Sequence, residues 1–203
     1  NGVGTPHRDY TATCGGVSVV STSGPIVVQP LSNGLSVSCT VTARNDLGMG
    51  PPSDPVSTTP IANTVTSITA HAPDPSRVNS PYTVAVAVSG EGTPQPGGAV
   101  TVSDGVSNCV AALSPGAPSI GSCALTSLTR GNKTLLASYA GDAANRPSSG
   151  VASHLVADLP GAPLLNTAEP ANQSVSLMFS APSDSGGLPV LDHIHSDSYN
   201  WKT

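Results

Sequence analysis

The sequence predicts an all-β protein, and three observations carry that expectation. Charged residues are 9% of the 203 and aromatics 3%, while Gly and Pro together number 41. No apolar series recurs at helical spacing. Val and Thr instead alternate in short runs bounded by Gly, Pro, Asn and Asp, the period of strands with one buried face. Frequent Gly and Pro with little charge also suit disorder, but disordered segments lack such faces. This length fits one large domain or two of ordinary size.

The formal net charge is −5 and Lys plus Arg total seven, with no basic cluster. Nucleic acid is therefore not an expected partner. No run of 18 apolar residues is present, so no membrane-spanning helix is expected. The absence of a leader-like segment reads as a mature chain or a fragment.

Taken in order, DYTATC is the first expected strand, with Tyr10, Ala12 and Cys14 on one face. GGVSVVSTSG reads as a hairpin and PIVVQPL as a short strand. Asn33-Gly34 signals a tight turn. In 35–44, Val37, Cys39, Val41 and Ala43 alternate with polar residues. PPSDPVSTTP closes this unit, residues 1–60. In 61–158, NTVTSITAHAPDPSRVNSPYTVAVAVSG supplies two strands around a Pro-rich bend. GGAVTVSDGVSNCVAAL and SIGSCALTSL follow, then two strands in KTLLASYAGDAANRPSSGVASHLV. In 159–203, Val175, Leu177 and Phe179 alternate, and Ser183 to Gly187 reads as a turn.

Four cysteines allow three pairings, and strand register favours Cys14 with Cys39 and Cys109 with Cys123. Cys109 and Cys123 are symmetric about Gly116, and a hairpin there would set them face to face. No CxxC or neighbouring His completes a tetrahedral metal set around them. Disulfides imply an oxidising, extracellular location.

Two resemblances follow from these residues. Leu31-Ser32-Asn33-Gly34, Ala43-Arg44-Asn45 and Gly48 to Ser53 make residues 4–58 similar to the later strands of a bacterial fibronectin type III domain. Val37 stands where that family commonly has Tyr. Pro160-Gly161-Ala162-Pro163, the Val175/Leu177/Phe179 alternation and Ala181-Pro182 to Gly186-Gly187 resemble its first strands. Gly98 to Gly105 and Tyr139 to Asn145 resemble the bacterial Ig-like repeat of large surface proteins. That resemblance implies a seven-stranded sandwich, which strand count independently suggests.

The ends also echo one another. Gly187, Pro189 and Asp192 follow Gly4, Pro6 and Asp9 by 183 residues, which sets His193 and His195 at the places of Tyr10 and Ala12. Either the chain is a piece of a tandem array cut inside a domain, or one sandwich is shared between molecules. In the second reading Val175, Leu177 and Phe179 are a donated face and Tyr10, Ala12, Val37 and Val41 the acceptor core. Head-to-tail self-association then propagates into a filament.

Catalytic chemistry is not expected. No Gly-x-Ser-x-Gly elbow, phosphate loop or paired-carboxylate cleft is visible. His193-x-His195 with Asp192 and Asp197 has no third ligand fixed by sequence, so no metal and no cofactor is assigned. Asp104-Gly105 and Gly141-Asp142 read as turn residues. The expected role is a structural subunit of a secreted bacterial fibre, pilus-like appendage or surface stalk. The competing role is an adhesin stalk or carbohydrate-binding accessory module on a surface polysaccharide, with Trp201 as its exposed aromatic. No role is assigned to 192–203 beyond the echo of strand 9–14.

Overall fold

The computed structural model describes residues 9–91 and 93–191. Those residues form 15 strands and no helix: β1 Asp9–Cys14, β2 Val17–Ser21, β3 Val37–Asn45, β4 Gly48–Met49, β5 Val56–Thr58, β6 Thr64–Ala72, β7 Ser76–Arg77, β8 Pro81–Gly90, β9 Ala99–Ser103, β10 Asn108–Ala112, β11 Ser119–Thr126, β12 Gly131–Tyr139, β13 Ser148–Ala157, β14 Leu164–Ala171 and β15 Ser174–Ser180. The all-β expectation holds. Most of the Gly and Pro residues fall between strands, and the Val/Thr alternations lie within them.

The central strands make a sandwich. One sheet runs β10-β9-β12-β13-β7 and the other β11-β8-β6. Successive strand residues point to opposite faces, so Tyr82, Val84, Val86 and Val88 of β8 all face inward. They meet Val100 and Val102, Leu125, and Leu135, Ala137 and Tyr139 in one buried cluster. Two sheets, each with an apolar inner face, are the minimum that closes a core.

β10 and β11 do not form the expected cysteine hairpin. β10 pairs with β9 in one sheet, whereas β11 pairs with β8 in the other. The chain crosses between layers over 113–118. Cys109 and Cys123 are nevertheless bonded, because both flank the same core from opposite sheets. The staple therefore ties layer to layer.

Polar residues close the ends of this sandwich. At one end, the Asp142 carboxylate accepts the N–H groups of Gly97 and Ala144 and is also bonded by the Asn145 amide and the Tyr139 hydroxyl. Burial pushes this carboxyl up, but those donors outweigh it and hold Asp142 at about 2. Burial, then the adjacent Asp142 charge and hydrogen bond, push the Tyr139 hydroxyl up to about 12. At the other end, Asp104 accepts from Val106, Ser107 and Ser127. Asp104 and Asp142 thus each organise a turn.

Candidate assembly surfaces

Residues 9–58 form one sheet, ordered β2-β1-β3-β4, with β5 also paired to β3. Its register opposes Tyr10 to Ala43, Ala12 to Val41 and Cys14 to Cys39. On the other side of β1, Ala12 faces Val19 and Cys14 faces Val17. One face is thus apolar. The opposite face carries Thr11, Thr13, Thr40, Thr42 and Ser18, with Thr13 and Ser18 hydroxyls 2.8 Å apart. Cys14 and Cys39 are bonded between the two adjacent strands.

No second sheet stands on that apolar face among the described residues. Only the segment 22–28 leans over it. Ile26 and Val28 line an open groove of about 590 Å³ with Tyr10, Ala12, Cys14 and Val41. PIVVQPL, expected as a strand, pairs with none. It keeps the period-two alternation, Ile26 and Val28 half-buried and Val27 exposed, yet lacks a neighbouring strand with which to form a ladder. Val41 remains 41% exposed, unlike the fully covered valines of the central sandwich.

β14 and β15 form a separate two-stranded sheet in which every residue is exposed. Pro170 opposes Val175, Ala168 opposes Leu177 and Leu165 opposes Phe179. A register shift at Asn166 makes this face continuous. An extra residue on one strand changes its parity, so Leu165 joins Ala168 and Pro170 on one side. The Asn166 amide donates to the Ser180 hydroxyl at 2.7 Å and fastens the bulge. Val175, Leu177 and Phe179 are 60%, 57% and 69% exposed. An isolated two-stranded ribbon is marginally stable in water, and among the described residues no other strand pairs with this one.

The two apolar faces lie at opposite ends of the central sandwich. The first sheet is held at the Tyr139 end of β12. Asn33 donates to the Glu91 carbonyl at 3.0 Å, and the backbone of Ala62 bonds to that of Ala144. Gly34, at φ +75°, sits so close to Ala144 and Pro94 that a Cβ would come within 2.8 Å of both. The β14–β15 ribbon is held at the Gly131 end. There Arg130 pairs with Asp184 at 2.6 Å, and the Asp158 N–H donates to Gly186 at 2.7 Å. The nine residues of β12 separate the two ends, a span of about 30 Å.

Tyr10, Ala12, Val37 and Val41 therefore share one sheet face, and Val175, Leu177 and Phe179 share another. The chain does not bring the two sets together. His193, His195, Asp192, Asp197 and Trp201 lie outside the described residues, as do Gly4 and Pro6. Two residues the sequence did not single out are Ile26 and Val28 as groove walls. Their signal was the alternation within PIVVQPL.

No protein-family model matches this sequence, and no curated protein matches it. Among solved structures, the fold is similar to one from a 1.5-MDa bacterial ice-binding adhesin, studied for its retention on the host cell surface. The TM-score is 0.35 at 14% identity, over 79% of this chain and 57% of that one. At that score the likeness carries no argument about function.

Proposed function

We propose that this chain is a structural subunit of an extracellular bacterial fibre or surface stalk, and that copies join head to tail by sharing a sandwich. The β14–β15 ribbon of one copy covers the apolar face of the β1–β5 sheet of the next. Val175, Leu177 and Phe179 meet Tyr10, Ala12, Val37 and Val41. Residues 25–31, extended and without a ladder, offer the ribbon an edge for main-chain pairing.

The observation that carries this reading is the pair of apolar sheet faces beyond opposite ends of the central sandwich, one covered only in part by residues 22–28, with Ala12 buried but Val41 41% exposed, the other exposed throughout. Five strands on one side and two on the other give the strand number of a seven-stranded sandwich. Because donor and acceptor are different surfaces, the contact does not close on itself and propagates. Nothing in the reading calls for a catalytic group, so the chain is taken as a scaffold and not an enzyme. Two disulfides and the secreted location they imply suit it.

The test is negative-stain electron microscopy of concentrated protein, followed by denaturation without reductant. Unbranched fibres with an axial repeat of roughly 70–80 Å that release a 20 kDa band are the expected result. Particles that stay monomeric at every concentration overturn it.

A further inference from the structure

We propose that His71, Asp74 and His154 form a binding site for a divalent zinc-class ion that clips the two layers of the central sandwich together. His71 belongs to β6, in the three-stranded sheet. His154 belongs to β13, in the five-stranded sheet. Asp74 sits in the Pro73-Asp74-Pro75 bend that joins β6 to β7. Their ligand atoms converge from two stretches of chain: His71 and Asp74 lie three residues apart, and His154 follows His71 by 83 residues.

The geometry is that of a coordination sphere. The Nδ1 atoms of His71 and His154 face each other at 3.1 Å. The Asp74 oxygens lie 3.5 Å from His71 Nδ1 and 3.4 Å from His154 Nδ1. Ligand atoms about 2.0–2.1 Å from a tetrahedral zinc sit ~3.3 Å from one another. A hydrogen-bonded pair of imidazoles needs only one shared proton and no third group. Here a carboxylate stands against the same two nitrogens, so three lone-pair donors point at one place.

The surroundings hold these donors in position. The second nitrogen of His154, Nε2, lies 2.8 Å from the Ser76 hydroxyl. That contact aims Nδ1 at the site, as an outer hydrogen bond commonly does for a metal-bound imidazole. Tyr82 stacks on the His154 ring at 4.0 Å. The Leu155 N–H donates to Asp74 Oδ1 at 3.0 Å and orients the carboxylate. His154 is 1% exposed. Neutral imidazole is the form that ligates.

The donor set selects the ion. Two nitrogens and one oxygen suit zinc and its first-row neighbours, whereas calcium and magnesium take oxygen ligands. Asp74 and His71 reach solvent, with 37% and 21% of their side chains exposed, so an ion can enter and water can complete the sphere. No carbonyl or phosphoryl substrate is placed there. The role is a cross-link between sheets, parallel to the Cys109–Cys123 staple.

The sequence holds a rival pair, His193 and His195, so the test uses the untagged full chain carrying His193→Ala and His195→Ala. After chelator treatment, zinc chloride is titrated calorimetrically and cobalt(II) is followed by visible absorption. The expected result is one zinc per chain, tetrahedral-type cobalt bands and a zinc-dependent rise in Tm. Adding His71→Ala, a partly exposed position whose loss leaves the core intact, abolishes all three. Adding Ser76→Ala instead weakens zinc binding about tenfold. Absence of saturable zinc uptake in the His193→Ala/His195→Ala chain overturns the site. So does uptake that persists unchanged with His71→Ala.

Discussion

Leu177→Ala separates the stability of the single chain from the stability of the proposed fibre. In the single chain Leu177 is 57% exposed and opposes Ala168 on an uncovered face. Shortening such a side chain changes folding stability by no more than about 0.5 kcal/mol. In the proposed shared sandwich the same side chain is a core residue. Leu→Ala in a core costs about 2.7 kcal/mol at the low end, which is roughly 100-fold in Kd. Met178 is the internal control. It is 66% exposed, adjacent in sequence and on the opposite face of β15, which stays in solvent when the apolar face is covered. Sedimentation velocity across a concentration series reads both variants. The expected outcome is a ~100-fold loss of self-association in Leu177→Ala, near-wild-type association in Met178→Ala, and an unchanged thermal midpoint for both. Equal weakening in the two variants, or none in either, refutes face-specific donation.

The two disulfides have separable effects. Replacing Cys109 and Cys123 with Ser opens a loop of sequence separation 14, at a cost of about 3 kcal/mol in the chain-entropy model, and lowers the midpoint of the central sandwich by roughly 12–24 °C in differential scanning calorimetry. Replacing Cys14 and Cys39 instead leaves that midpoint in place and weakens self-association, because this bond lies wholly in the acceptor sheet. Acid sensitivity centres on Asp142. Its folded pKa of about 2 lies below the ordinary ~3.9 of an unfolded aspartate, so its contribution is present above about pH 4 and is lost as pH falls through about 2. Melting curves from pH 6 to pH 2 should therefore show a declining midpoint, with a shallower decline in Asp142→Asn; an identical slope contradicts the assignment.

How much was legible in the sequence follows from how local each signal is. Val84, Val86 and Val88, and Leu135, Ala137 and Tyr139, alternate because they cross a sheet with one covered face, and that pattern needs no partner to be read. The strand expected at PIVVQPL has the same alternation but no ladder. Alternation reports which face is buried, whereas a strand also needs a neighbour, and no neighbour lies beside 25–31 within the described residues. Cys109 and Cys123 show the converse limit. Their even spacing around Gly116 suits a hairpin within one sheet and equally a crossover between two. The sulfur atoms meet in either case, so the pairing was readable while the topology was not. His71 and His154 stand 83 residues apart and carry no shared motif. Only the packing of β6 against β13 brings their rings together.

The same contrast explains where the chain places its stabilisers. The central sandwich has a closed apolar cluster, a disulfide between layers and, at its Gly131 end, buried His154 and Tyr82 paired with the Ser76 and Ser127 hydroxyls. It is finished without a partner. The β1–β5 sheet has a disulfide within one layer and an open groove over it. A bond between neighbouring strands adds nothing to the closure of a core, but it fixes their register. Register matters most where a face must match another surface, because a one-residue slip would turn every inward side chain outward. Cys14 opposite Cys39 holds Ala12 beside Val41 and Tyr10 beside Ala43. In the proposed assembly the acceptor sheet is thereby ordered in advance, and less conformational freedom is lost on docking of a ribbon. A sheet held in register with its apolar face open in part is what the proposed shared sandwich requires of its larger half.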